Sequence, residues 1–324
     1  KVHLEVCKMQ YIELTEKHAD EIVDMWNRNV SPSFPLSKQL FIQNTINDSN
    51  LVKEATSVVE LEGKVIGFVV TKCLQDDLGV QMNKKHGWIQ VLLVDEVYRR
   101  QGIGKQLLHL AEQALIKRGL EVIQLGGDIN HYLCGIPLND QATLQFAKKQ
   151  DYDELVVTHD LYRFLDEEIE LPSLQDVTFE PLKIEEKDAF IGFLHRCFPG
   201  RWEYEAIRYF NHGGQGEEFV VIKNELQQII GFSRMNEWTS PVIAQNVNWS
   251  PGFKGPLGGV GPLGVDEQYR GKGYGLAVTQ AAIHFLQRRG CKEIIIDWTV
   301  LVDFYRLLKF DIWQSYTILT KKVT

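Results

Sequence analysis

Apolar positions along this chain alternate between a strand-like and a helical rhythm, and the same order of elements occurs twice. In the second half, Lys187–Cys197 reads as a helix, and Glu218–Lys223 and Gln228–Met235 are short apolar runs joined by a polar connection, the pattern of an antiparallel hairpin. Gly261–Val265 follows as a short strand, and Gly275–Arg289 places apolar residues at helical spacing. Lys292–Asp297 is a strand, Val302–Leu308 a helix and Ile312–Leu319 a closing strand. The first half yields Ala19–Arg28, Thr56–Glu60, Lys64–Cys73, Trp88–Val94, Gly104–Lys117, Glu121–Leu125, Asp140–Lys149 and Leu155–Phe164. A hairpin followed by strand–helix–strand predicts an α/β fold of the α+β kind, a mixed sheet with helices on its faces.

The recurrence extends to individual residues. Val94-Asp95-Glu96-Val97-Tyr98-Arg99-Arg100-Gln101-Gly102-Ile103-Gly104 matches Val265-Asp266-Glu267-Gln268-Tyr269-Arg270-Gly271-Lys272-Gly273-Tyr274-Gly275 at seven of eleven positions, 171 residues further on. Arg118-Gly119 and Arg289-Gly290 close the following helices at the same offset. That interval is too long for a solenoid repeat and implies a duplicated domain. The acidic, proline-bearing stretch Asp166–Asp176 is the expected linker, which gives domains over residues 1–168 and 175–324.

Both copies carry Arg-x-x-Gly-x-Gly between a strand and a helix. Glycines let the backbone approach an anion, and the N–H groups of the helix's first turn donate to its oxygens, assisted by the helix dipole. A Walker A loop would need Gly where Arg99 stands and Ser or Thr where Gln106 stands. A dinucleotide fingerprint would need a third glycine, and Leu107 and Val278 occupy that place.

The paired loops resemble the pyrophosphate signature [QR]-x-x-G-x-[GA] of the GNAT family of N-acetyltransferases, and the resemblance covers nearly the whole chain as two tandem units. It implies that acetyl-CoA, as co-substrate, is held by Arg270, Gly271, Lys272, Gly273, Tyr274 and Gly275 in the second copy. The first copy's counterparts are Arg99, Arg100, Gln101, Gly102, Ile103 and Gly104. It also implies a cleft between two splayed strands, with the pantetheine arm along Leu263 and Val265, or along Leu93 and Val94. In Gly258–Val265, Pro262 cannot donate to a ladder, so a bulge or open edge is expected there, and Gly255–Gly259 is expected to be a flexible loop.

Acetyl transfer to an amine needs an uncharged amine, a donor for the developing oxyanion and a proton for the leaving thiolate. Phe304-Tyr305-Arg306-Leu307-Leu308-Lys309-Phe310 resembles the family segment whose tyrosine gives that proton, which makes Tyr305 the candidate acid. Glu237 is the candidate base, with Asp297 as the other carboxylate near the cleft. The first copy departs here: one alignment sets Phe146-Ala147 against Phe304-Tyr305, another sets Phe146 against the tyrosine, and neither supplies a hydroxyl. It also spends 27 residues from Gly119 to Phe146 where the second spends 14 from Gly290 to Phe304. The second domain is therefore expected to be catalytic and the first a scaffold or weak acyl-CoA binder. The segment His195–Phe210, with Phe198, Trp202, Tyr204 and Tyr209, reads either as an acceptor wall or as packing between the domains.

Composition narrows the partners. Of 324 residues, 44% are hydrophobic and 24% charged, and Lys+Arg 35 against Asp+Glu 43 leaves a net charge of −8. Such a surface lacks the basic face that nucleic acid requires, so the expected partner is a small-molecule amine. A non-catalytic acyl-CoA-binding or sensor protein is the alternative. No apolar run approaches the roughly 20 residues of a membrane span, and the first twenty residues hold no signal-peptide core. The five scattered cysteines suggest neither a disulfide framework nor a metal site, which together predicts a cytoplasmic protein with reduced thiols.

Overall fold

The computed structural model describes residues 9–323, and the expected elements appear there in the expected order. The first copy runs through β1 (Gln10–Glu13), α1 (Ala19–Asn29), α2 (Lys38–Phe41) with a π-helical turn at Ile42–Ile46, β2 (Ser57–Leu61), β3 (Lys64–Cys73) and β4 (His86–Val94). It continues with α3 (Ile103–Lys117), β5 (Val122–Leu125), β6 (Ile136–Pro137), α4 (Gln141–Lys148) and β7 (Asp153–Phe164). The second runs through β8 (Val177–Pro181), α5 (Lys187–Cys197), α6 (Arg201–Asn211), β9 (Phe219–Asn224), β10 (Ile229–Glu237) and β11 (Leu257–Val265). It ends with α7 (Tyr274–Arg288), β12 (Glu293–Thr299), α8 (Val302–Arg306) and β13 (Asp311–Lys322).

Two compact units result. One holds the described residues up to Asp76, then Asn83–Val156 and the chain from Tyr316 onward; the other holds Asp77–Met82 and Val157–Ser315. Their composition shows an exchange of strands. In the first unit the sheet order is β1-β2-β3-β4-β5-β13, with Leu319–Lys322 antiparallel to Leu125–Val122. In the second it is β7-β12-β11-β10-β9-β8, with Phe164–Leu161 antiparallel to Glu293–Ile296. Each copy's closing strand thus completes the other copy's sheet, so the compact units differ from the halves 1–168 and 175–324 by these strands and by the segment Asp77–Met82. Both closing strands have similar periodicity, and either could satisfy an open edge; burial decides. Leu161 and Leu165 enter the second unit's core against Ile294 and Ile296, and Leu319 enters the first unit's core beside Ile123.

Helices pack on both sheet faces. In the second unit α7 lays Val278, Ala281, Ala282 and Leu286 on one face, while Phe190, Phe193 and Phe210 of α5 and α6 pack with Phe219 and Phe232 on the strands. Phe198 and Trp202 join that second cluster, their rings 5.3 Å apart, and Tyr209 is buried within it. The aromatic segment is therefore largely packing inside its own unit. The expected linker lies along α7: Gln280, His284 and Gln287, on one helical face, bond the backbone of Glu170, Ile169 and Glu167.

Two local expectations are corrected. The stretch expected to be a loop at Gly255–Gly259 is strand from Leu257, where Gly258 and Gly259 pair with Glu237 and Asn236 on one side and with Ile294 and Ile295 on the other. Helix α6 lies in the stretch read only as an aromatic segment. The irregularity expected at Pro262 is present as a register shift between the Ser233–Leu263 and Met235–Val260 pairs. Cys73, Cys134, Cys197 and Cys291 form no disulfide, and Cys7 lies outside the described residues. Among the described residues no helix is long and apolar enough to cross a membrane, and no group of His, Cys, Asp and Glu is placed to hold a metal ion.

Candidate active site

The site begins where two parallel strands part. β11 pairs with β12 only over Leu257–Gly259 and Glu293–Ile295, after which β11 continues to Val265 and β12 to Thr299 without bonding each other. The first unit repeats this fork, with β4 paired to β5 over His86–Ile89 and Val122–Leu125 and then running on to Val94 beside β3 but without β5. A fork leaves strand backbone groups free for an extended ligand between the strands.

The glycine loop closes the open end. Gly273 is the N-cap of α7 at φ +78, and Gly102 is the N-cap of α3 at φ +87, a conformation that costs other residues about 1–2 kcal/mol. The first i→i−4 bond of α7 runs from Ala277 N to Gly273 O at 3.1 Å, so the N–H groups of Tyr274, Gly275 and Leu276 point outward without helical partners. No atom lies within 4 Å of a Cβ built on Gly271 or Gly273, which leaves room for a phosphate there. Arg270 Nε turns back to Val265 O at 3.0 Å, and Arg99 Nε does the same to Val94 O at 2.8 Å, each bracing its loop. Asp266 accepts from Gln268 N and from Arg196; Asp95 accepts from Val97 N and from Arg28. These residues fit a pyrophosphate-bearing ligand at both loops.

The two halves differ at the chemistry. A Cβ built on Gly275 would lie 3.7 Å from Phe304, and one on Gly104 would lie 3.9 Å from Phe146. Phe310 N donates to Tyr305 O, and Tyr152 N donates to Ala147 O, each just after a positive-φ residue, Lys309 and Asp151. The alignment left open by sequence is thereby settled: Phe146 answers Phe304, and Ala147 answers Tyr305. Counting both forks from their first paired residues, Glu293 and Val122, places Gly126 where the second copy has Asp297. The first unit therefore lacks both the hydroxyl and the carboxylate.

Tyr305 is buried beside Phe304 and Phe310, and burial together with the charge of Asp297 holds its hydroxyl far above the ordinary tyrosine range. Asp297 lies past the fork on β12. Its neighbours Ile294 and Ile296 enter the α7 core, so alternation turns Asp297 to the α6 face. Burial and the charges of Asp160 and Glu205 push its carboxyl up to about 7, against the pull of Arg201. Asp160 is fixed by Trp298 N at 2.9 Å, and Glu205 by Arg201 Nε at 2.7 Å. Glu237 stands elsewhere: opposite Gly258 in the closed stem, bonded to Arg289 at 3.1 Å. Arg289 follows the C-terminal end of α7, a helix of 15 residues and so roughly 22 Å from the glycine loop. Glu237 also borders Cys291, whose thiol burial and that carboxylate push up to about 12. Asp297 stands close enough to Tyr305 for its charge to act on the hydroxyl, whereas Glu237 stands in the closed stem. Sequence reasoning had placed Asp297 near the cleft but had no measure of its burial.

A forked parallel strand pair with a glycine-capped helix at its mouth defines an acetyltransferase fold, present here twice, and the second copy alone adds a tyrosine on the following helix. The family model described as "Acetyltransferase (GNAT) family" matches residues 20–134 and 187–310, and the chain belongs to that family. It is 25% identical over 250 residues to the mycothiol acetyltransferase of Renibacterium salmoninarum, covering 70% of this chain and 65% of that protein. It is 30% identical over 151 residues to the mycothiol acetyltransferase of Thermobispora bispora, covering 42% of this chain and 46% of that one. Among solved structures, a GCN5-related glucosamine N-acetyltransferase region of a fungal multi-domain GH3 β-N-acetylglucosaminidase superposes with a TM-score of 0.87 at 23% identity, over 98% of this chain and 38% of that one. A tandem GNAT protein from the clavulanic acid biosynthesis pathway superposes at 0.68 with 13% identity, over 97% and 98% of the two chains. These superpositions bear on the fold.

Proposed function

We infer that this protein transfers acetyl from acetyl-CoA to the amine of a small molecule, and that the second unit does the chemistry. The observation that carries this reading is that the second fork carries Tyr305 and Asp297, whose charge acts on the tyrosine hydroxyl, where the first has Ala147 and Gly126. With its carboxyl near 7, Asp297 takes a proton from the acceptor ammonium at neutral pH. The amine nitrogen then bonds the acetyl carbon, the carbon–sulfur bond breaks, and the second proton that the nitrogen sheds in becoming an amide passes to solvent. Tyr305, still protonated, gives its proton to the departing sulfur and recovers one from solvent, and Asp297 releases its proton to solvent to close the cycle. Asp297 thus takes the base role first expected of Glu237.

The relatives support a choice of acceptor class: two are named mycothiol acetyltransferase and one structural neighbour is named for glucosamine, and an amino sugar or its conjugate is the proposed acceptor. The first unit keeps a fork and a glycine loop without the reacting groups, and its proposed role is that of a scaffold with a cofactor-shaped cleft. The test is thiol release from acetyl-CoA with glucosamine and a panel of primary amines. Turnover is expected, and Tyr305→Phe should lower kcat by about 10²- to 10⁴-fold. Acetyl-CoA binding without thiol release on any amine would favour a sensor instead.

A further inference from the structure

The β10–β11 connection carries a short 3-10 turn, Gln245–Val247, that sets one side chain, Asn246, against β10 and β11 near the fork. Asn246 is buried and touches three strand positions. Its Nδ2 donates to Gly261 O at 3.4 Å, and its Oδ1 accepts from Asn236 Nδ2 at 3.1 Å. It also fills the space beside Gly259, where any Cβ would collide with its amide. Gly259 is the last residue of β11 paired to β12, and Gly261 lies two residues past the parting, in the stretch with shifted register.

The order of donors fixes both amides. Gly261 O can only accept, so Asn246 must present Nδ2 to it and Oδ1 to Asn236. Asn236 must then donate, which leaves its own Oδ1 buried with no hydrogen-bond partner. A fully buried amide in that state is an expensive arrangement, maintained to hold β11 from the side. The first unit is built differently here: the pair corresponding to Asn236 and Gly259 is Lys72 and Trp88, and Lys72 Nζ donates to Asn44 O, Asp48 and Asp128.

We propose that Asn246 is a positioning residue for acetyl transfer, anchoring β11 at Gly261 just past the fork and so setting where the thioester lies relative to Asp297 and Tyr305. The inference rests on the acetyltransferase reading. It requires that Asn246→Ala and Asn246→Asp, which both remove the donor to Gly261 O, lower kcat roughly 10- to 100-fold while the KM for the amine stays within about twofold. Calorimetry with acetyl-CoA and a thermal melt would accompany the kinetics. A wild-type protein that neither binds acetyl-CoA nor turns over an amine would sink the acetyltransferase reading itself. An active wild type, with folded variants whose kcat matches it, would overturn the role of Asn246 alone. The close approach has its own check: Gly259→Ala should lower Tm by several degrees in the wild-type background and much less in Asn246→Ala. Equal losses in both backgrounds would overturn the geometry.

Discussion

Asp297 shows how surroundings change the chemistry of one carboxylate. In sequence it is an aspartate ending an isoleucine run; in the fold it is half-buried, with Asp160 and Glu205 adding like charge. The resulting carboxyl near 7 is suited to proton removal at neutral pH, and it has two consequences. Activity should rise with pH through about 7 as Asp297 ionises, and Asp297→Asn should abolish that limb with a loss in kcat of about 10²-fold or more, read from a pH–rate profile. The stability effect has the opposite slope. The folded carboxyl sits above its ordinary value of 3.8, so the folded state holds the proton more tightly and loses stability as pH rises through about 7. Asp297→Asn should therefore be more stable than the wild type above that pH, by on the order of 1–3 kcal/mol in urea melts, and the gap should close in acid. Tyr305 was legible as a candidate from its local motif. The place of Glu237 in the closed stem was not, because its partner Arg289 is distant in sequence and meets it only through the strand–helix packing.

At the scale of elements, the strand, loop and helix around each Arg-x-x-Gly-x-Gly form a unit that local sequence specifies well. The N-cap glycines at positive φ, the outward first-turn N–H groups and the braced arginine all lie within ten residues of each other, and short-range patterns encode short-range structure. Gly273→Glu puts an anion and a strained backbone at the proposed pyrophosphate site without any packing clash. It should abolish acetyl-CoA binding and turnover in the second unit while leaving the Tm within a few degrees, measured by calorimetric titration and melting. Gly102→Glu should leave kcat within about twofold if the first unit only supports the fold; loss of turnover there would reverse the assignment of units. β11 was harder to read. Its glycines look like loop residues on propensity, yet they are placed in a strand because Ile294 approaches Gly258 to 2.8 Å of a would-be Cβ and Asn246 crowds Gly259.

At the scale of the molecule, the duplicated sequence does not produce two self-contained copies. β13 closes the first unit and β7 closes the second, so a cut in the Asp166–Asp176 linker separates each sheet from its last strand. Fragments 1–168 and 175–324 expressed alone should lack cooperative melts, since each leaves an unpaired edge and loses buried leucines such as Leu161 or Leu319. Co-expressed, they should associate and recover acetyl-CoA binding. Independent folding of either fragment, seen as a cooperative melt, would show that the exchange is not needed for stability.

Sequence alone determined the duplication, the order of strands and helices, the paired glycine loops and the tyrosine, because each is written in residues close together along the chain. The tertiary structure decided which sheet each closing strand joins, which carboxylate lies beside Tyr305, and why glycines occupy a buried strand. Those outcomes depend on burial and on charges brought together from Asp160, Arg201, Glu205 and Asp297, residues that share no local pattern. The strand exchange has the same origin: two closing segments of similar periodicity can each satisfy an open edge, and only the core that receives Leu161 or Leu319 distinguishes them.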